Sequence, residues 1–168
     1  LGERAAELGC TEEELEQRLA PMRARLLAVR SKRIAPQRDE KVITAWNALL
    51  VSGLVRAAYA ADAWGEDALA RRWLDLARAA GERLASSHIA PSGEVLRIDF
   101  HGEVHVRGYL EDVAFLARAC LDLHEATLEA SWQEVGQRLA RHALAHYATS
   151  GGDGFYVTAD DAERLIER

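Results

Sequence analysis

Two groups of side chains carry the chemistry this chain could do. Asp39, Lys41, Trp46 and Asn47 lie in the run Arg38-Asp39-Glu40-Lys41-Val42-Ile43-Thr44-Ala45-Trp46-Asn47-Ala48-Leu49. Tyr109, Glu111 and Asp112 lie in Tyr109-Leu110-Glu111-Asp112-Val113-Ala114-Phe115-Leu116. Paired carboxylates do acid and base work on sugars when their surroundings push their pKa values apart, and an indole offers a flat platform to a sugar face. Asp39 and Asp112 are therefore the candidate catalytic pair. Lys41, Trp46, Asn47, Tyr109 and Glu111 are the candidate substrate-binding groups, with Lys41 suited to a carboxylate or a phosphate. Each has a structural alternative. Acids at helix N-termini cap free N–H groups and complement the macrodipole, for ~0.5–2 kcal/mol each. Lys41 can pair with a neighbouring acid, and Trp46 and Asn47 can be a core ring and an amide bonded to backbone. Glu111 and Asp112 are adjacent, so on a helix they point in different directions and cannot form a pair by themselves.

Other reactive types yield less. His142 and His146 stand four apart and could share a metal on one helix face, but the glutamate of an HExxH motif is missing. No metal or cofactor is expected. His101 and His105 flank a turn, where they are surface imidazoles or, at the mouth of a funnel, proton-transfer groups. Cys10 and Cys120 are far apart and make neither a disulfide framework nor a four-ligand zinc site, which implies a reducing, cytoplasmic setting. Gly151 to Gly154 is glycine-rich but lacks the lysine of a phosphate loop and reads as a turn.

The elements that must position these residues are helical. Thr11 and Glu14 have capping-box spacing, and a first helix is predicted over 12–31, bent or interrupted at Pro21. Further helices are predicted over 41–61, 67–86, 110–127 and 131–149. Between 93 and 107 the apolar period changes to two, with His101-Gly102-Glu103 as the turn of a β-hairpin, and Phe155 to Val157 reads as a short strand. A helix, a turn and a second helix recur at roughly 60 residues, with Trp73 and Trp132 at similar places in the second helices.

Charge separates the two helices of each pair. From Trp46 to Ala61 the only charged residue is Arg56 and from Val113 to Leu121 only Arg118, whereas Glu66 to Leu84 holds eight. A helix apolar nearly all round must be covered on most sides, so the first of each pair is inner and the second outer. Stacked pairs of this kind build α-solenoids and α/α toroids, and the hairpin-bearing connector favours the toroid. The fold class is all-α: helical hairpins forming part of an α/α toroid, with a small β-hairpin in the connector near 93–107. The organisation is a leading helix (1–34), a first helical hairpin (39–90), the connector (91–108), a second hairpin (109–149), and a turn opening the next repeat (150–168). Two pairs are only an arc, so the chain reads as a fragment. Its inner flanks would be uncovered and would drive a symmetric homodimer.

The chain has 21 basic and 27 acidic side chains and a net charge of -6, which argues against a nucleic-acid footprint or a polybasic membrane patch. No run approaches the ~18 apolar residues of a membrane span.

The stretch 38–49 resembles the R-D-D-K-hydrophobic-hydrophobic-T-x-W-N-G-L signature of the YyaL-like, spermatogenesis-associated thioredoxin-domain proteins. The stretch 109–116 resembles their F/Y-L-x-D-Y-A-F-L. Glu40 stands where Asp is usual, Ala48 where Gly is, and Val113 where Tyr is. The resemblance implies a toroid similar to N-acylglucosamine 2-epimerases and six-hairpin glycosidases, following a thioredoxin-like domain that this chain lacks. It further implies a sugar or other small-molecule substrate for the whole protein, with the fragment inactive, or a non-catalytic module that binds protein or glycan alongside the thioredoxin-like domain. Both motifs fall at the N-termini of the predicted inner helices, on one rim.

Overall fold

The structure, a computed structural model, describes residues 1–162. The chain forms two compact units, Leu1–Asp39 and Glu40–Arg168.

In the first unit, α1 (Gly2–Glu7) is followed by α2 (Glu12–Arg30). Thr11 starts α2 as its spacing with Glu14 requires: the Thr11 hydroxyl accepts the Glu14 N–H at 3.1 Å, and the Glu14 carboxylate accepts the Thr11 N–H at 2.9 Å. The helix runs through Pro21 without interruption, contrary to expectation. A proline removes a single N–H donor from the ladder, and the turns on either side keep their own bonds. Ala5 is buried on α1 and Leu15 on α2.

The second unit holds β1 (Val42–Ile43), α3 (Thr44–Ala63), α4 (Asp67–Ser87), β2 (Leu96–Phe100), β3 (Glu103–Arg107), α5 (Leu110–Thr127) and α6 (Ala130–His146). The hairpin of the connector is present, and its register pairs Ile98 with His105 and Phe100 with Glu103. Its two-residue turn has φ of 54° at His101 and 88° at Gly102, the paired left-handed conformations of a type I′ turn that match strand twist. β1 adds a third antiparallel strand, Val42 opposite Asp99 and Ile43 opposite Ile98, which the sequence did not suggest. That pairing also moves the start of α3 from Lys41 to Thr44, because Val42 and Ile43 are extended. α6 stops at His146 rather than Thr149, and Phe155 makes only an isolated bridge with Ala148 in place of a strand. The end of the expected next repeat, 163–168, lies outside the described residues.

α3 packs on α4 and α5, and α5 packs on α6, so the two helical hairpins meet through their charge-poor members. The core between them contains Val51, Val55, Leu84, Leu116, Leu123 and Leu139, all at most 2% exposed. The mostly helical architecture with its small sheet is compatible with part of an α/α toroid. α3 is covered along only one side, by Thr44, Ala45, Ala48, Val51, Ser52, Val55, Ala58 and Ala61. Its opposite side leaves Trp46, Leu49 and Leu50 open, Trp46 at 68% exposure. A two-pair arc predicts such an uncovered flank, and here α4 and α5 shield one side of the helix only. Among the described residues no helix is long and apolar enough to cross a membrane.

Candidate functional site

The N-termini of α3 and α5 meet at Asp112. Its side chain is 0% exposed, and both carboxylate oxygens are engaged. Oδ1 accepts the Ala45 N–H in the first turn of α3 at 3.0 Å. Oδ2 accepts the Tyr109 N–H at the start of α5 at 2.9 Å and an Arg97 Nη1–H at 2.7 Å. A helix start leaves N–H groups without intrahelical partners. α3 has no side-chain cap within its own sequence, so a carboxylate 67 residues away supplies one. One acid thus caps two helices and is neutralised by a cation from β2.

Arg97 gathers the second motif. Its Nη1 also reaches Glu111 at 2.8 Å, and its guanidinium lies 4.8 Å from the centroid of the Tyr109 ring. Burial alone would lower the Arg97 pKa, but the hydrogen bonds to Glu111 and Asp112 and their negative charges outweigh it, and the net shift is upward. Glu111 remains half-exposed, as does Tyr109.

Behind this junction lies a polar seam that sequence reading missed. The Thr44 hydroxyl is 2.5 Å from Leu96 O and 2.7 Å from His88 Nδ1, and the Thr44 and His88 side chains are both buried. A hydroxyl has one proton, and donating it to the carbonyl obliges His88 Nδ1 to carry the proton it shares with Thr44. Nε2 then presents a lone pair, and among the described residues it has no hydrogen-bond partner. Burial lowers the His88 pKa against the opposing pull of Asp99. Asp99 is itself held below the usual carboxylate range, first by its hydrogen bond from Arg83 at 2.7 Å, and its other oxygen accepts the Gly102 N–H of the hairpin turn. No spacing signal marks His88, since it joins Thr44 only through the folded sheet.

A cavity of about 380 Å³ adjoins the rim, lined by Val106, Arg107, Gly108, Tyr109, Thr158 and Ala159. Gly108 is required there: a Cβ would sit 2.8 Å from Val95 O. Its carbonyl accepts the Tyr147 hydroxyl at 2.8 Å. Val106, at φ 64°, is a β-branched residue in the left-handed region, a strained conformation on the cavity wall.

The other sequence-derived residues are placed as follows. Trp46 projects from α3 beside the Asp112 junction and is exposed. The Asn47 amide donates to Ile43 O at 2.9 Å, a local bond back to the strand before its helix. Lys41 is exposed just before β1. Asp39 is exposed and closes the first compact unit, whereas Asp112 belongs to the second. Tyr109, Glu111 and Asp112 are brought together by Arg97, a residue the motif reading did not select. A signal for it was present, since an Arg flanked by Leu96 and Ile98 on a strand requires an acid partner once it is largely buried. His101 and His105 are exposed on the hairpin. Cys10 and Cys120 are both free thiols, and burial pushes the Cys120 pKa up to about 12, which leaves it inert as a nucleophile.

No family model matches the chain. Among curated proteins it is similar to spermatogenesis-associated protein 20 of Homo sapiens, 31% identical over 164 residues that cover 92% of this chain and 20% of that protein. The protein of the same name from Mus musculus is also 31% identical over the same shares, and that from Rattus norvegicus is 30% identical over 144 residues, 80% of this chain and 17% of the relative. The chain spans about a fifth of the length of these relatives, and its similarity to spermatogenesis-associated protein 20 extends over nearly all of its own.

Proposed function

We propose that this chain is a non-catalytic helical module of a longer polypeptide of the YyaL-like, spermatogenesis-associated kind. In it α3 and α5 line part of the inner wall of an α/α toroid, and the open flank of α3 is a protein-contact surface. The observation that carries this reading is the state of Asp112: fully buried, with three hydrogen bonds of which one is the Arg97 ion pair, it is shut away from any substrate. The apolar flank of Trp46, Leu49 and Leu50 supports the contact role, because exposed patches of this kind mark interaction surfaces. Light scattering tests it. The 168-residue chain should associate as a dimer through this flank, and Leu49→Glu with Leu50→Glu should return a folded monomer. A monomeric parent chain would refute the contact role.

A second reading is favoured by the cavity at Tyr109, whose volume suits a monosaccharide and whose mouth carries an aromatic ring close to the Glu111 carboxylate. In this reading Lys41, Trp46, Asn47, Tyr109 and Glu111 hold a sugar or similar small molecule. Monosaccharide titration followed by NMR should then perturb Tyr109 and Glu111 first. Tyr109→Ala should abolish that perturbation, while Asp112→Asn acts only through stability.

A further inference from the structure

The last turn of α6 and the segment after it gather metal-ligating side chains that the rim does not use. His142 and His146 lie one turn apart with their ring centroids 4.6 Å from each other. Backbone bonds fold the following segment against the end of this helix. Tyr156 N–H donates to Tyr147 O at 2.7 Å, Thr149 N–H to Gly154 O at 2.9 Å, and Asp160 N–H to His146 O at 2.8 Å. This return path sets Asp160 Oδ1 at 2.9 Å and Asp161 Oδ1 at 4.0 Å from His146 Nδ1.

We propose that His146, Asp160 and Asp161 bind a divalent transition-metal ion of the zinc type, with His142 as a fourth ligand brought in by side-chain rotation. One ligand atom from each of the first three lies within 4.8 Å of the others. Zinc holds nitrogen and oxygen donors at about 2.0–2.2 Å in a tetrahedron, so small side-chain rotations close that set around an ion. Imidazole with carboxylate is the donor mixture that zinc accepts and that calcium or magnesium does not favour. Arg107 pairs with Asp161 through Oδ2, which leaves Oδ1 turned toward His146. Arg107 orients the Asp161 carboxylate in the manner of an outer-shell partner. The ion would clip the turn-rich segment after α6 to the helix end and hold the wall that Thr158 and Ala159 contribute to the Tyr109 cavity.

The test uses the 168-residue chain and the metals alone. Co2+ should produce the visible d–d bands of a low-coordinate nitrogen and oxygen site, and Zn2+ should displace it. In NMR spectra of the unmodified chain, Co2+ should broaden the resonances of His142, His146, Asp160 and Asp161 before any others. His146→Ala should weaken Zn2+ binding roughly tenfold or more, the loss that even outer-shell changes produce, while His101→Ala with His105→Ala should leave it unchanged. Absence of saturable binding, broadening centred on another histidine, or undiminished affinity in a folded His146→Ala variant would each overturn the proposal. Should that variant lose its circular dichroism signature, the broadening pattern of the unmodified chain decides the matter.

Discussion

α2 and α3 have nearly the same length, 19 and 20 residues, and are stabilised in opposite ways. α2 carries its own capping box, three acids in its first turn and Arg30 in its last, and buries Leu15 alone. α3 has no side-chain cap of its own, no acid in its first turn and no base in its last, yet buries eight residues and borrows its cap from Asp112 of α5. The first is a helix by local chemistry, and the second by tertiary packing, the source of most helical stability in folded proteins. The difference also bears on function. Because Asp112 caps two helices, one of the two acids read as a catalytic pair is occupied by structure.

Removing the borrowed cap is the strongest way to break this contrast. Asp112→Ala strips N–H partners from both α3 and α5 and leaves the Arg97 guanidinium, 18% exposed, beside only the half-exposed Glu111. Urea denaturation should show a loss of about 3–5 kcal/mol, with Asp112→Asn losing less because an amide oxygen can still accept one of the bonds. A loss under about 1 kcal/mol would mean that the shared cap is dispensable. Next in size is truncation of matched leucines. Leu123→Ala, 0% exposed on α5, should cost about 2–5 kcal/mol, whereas Leu26→Ala, 71% exposed on α2, should change stability by less than about 0.5 kcal/mol. Equal effects would erase the distinction between the two kinds of helix.

Smaller still is the local cap. Thr11→Ala should destabilise α2 by about 0.5–2 kcal/mol, visible as reduced helical ellipticity without change in the core packing of the second unit. The smallest effect is a pH dependence that sharpens the account of the seam. Burial holds the His88 pKa below its ordinary 6.5, so the unfolded chain binds a proton more readily than the folded one. Stability from His88 is therefore fully present above about pH 6.5 and declines as pH falls from there toward the lower folded value. Asp99, Arg83 and Asp112 are the charges that face it. His142, also lowered by burial, contributes in the same direction and must be replaced in the background. In a His142→Gln chain, unfolding free energy measured from about pH 7 to about pH 5 should fall, and His88→Gln should flatten that slope. An unchanged slope would remove His88 as its source.

Much of the helical plan was legible because it is written at short range. The Thr11–Glu14 box, the apolar period of α4 and α6, and the bounds of α5 at Leu110 and Thr127 all follow from neighbours within one or two turns. The alternation around Ile98 likewise announced the hairpin. β1 was not legible, since two residues, Val42 and Ile43, have no strand signal until Ile98 and Asp99 are beside them. At the rim, the motif residues were found but their state was not. The partner that occupies Asp112 is Arg97 on the hairpin, and its second helix cap lies 67 residues away. The same limit applied to His142 and His146. Their spacing was visible, while Asp160 and Asp161 approach His146 only because the chain turns back on α6.

The sequence by itself determined the helical elements, the division into charge-poor and charge-rich partners, the hairpin between the two helical pairs, and the residues that gather at the helix starts. Periodicity and capping operate over a few residues, within reach of the pattern along the chain. Only the tertiary structure decided which side of α3 is covered, which acid is buried and which is exposed, and where a buried histidine sits. Those outcomes depend on hydrogen bonds and desolvation between segments distant in sequence, and one buried carboxylate shared by two helices has no counterpart in any local window.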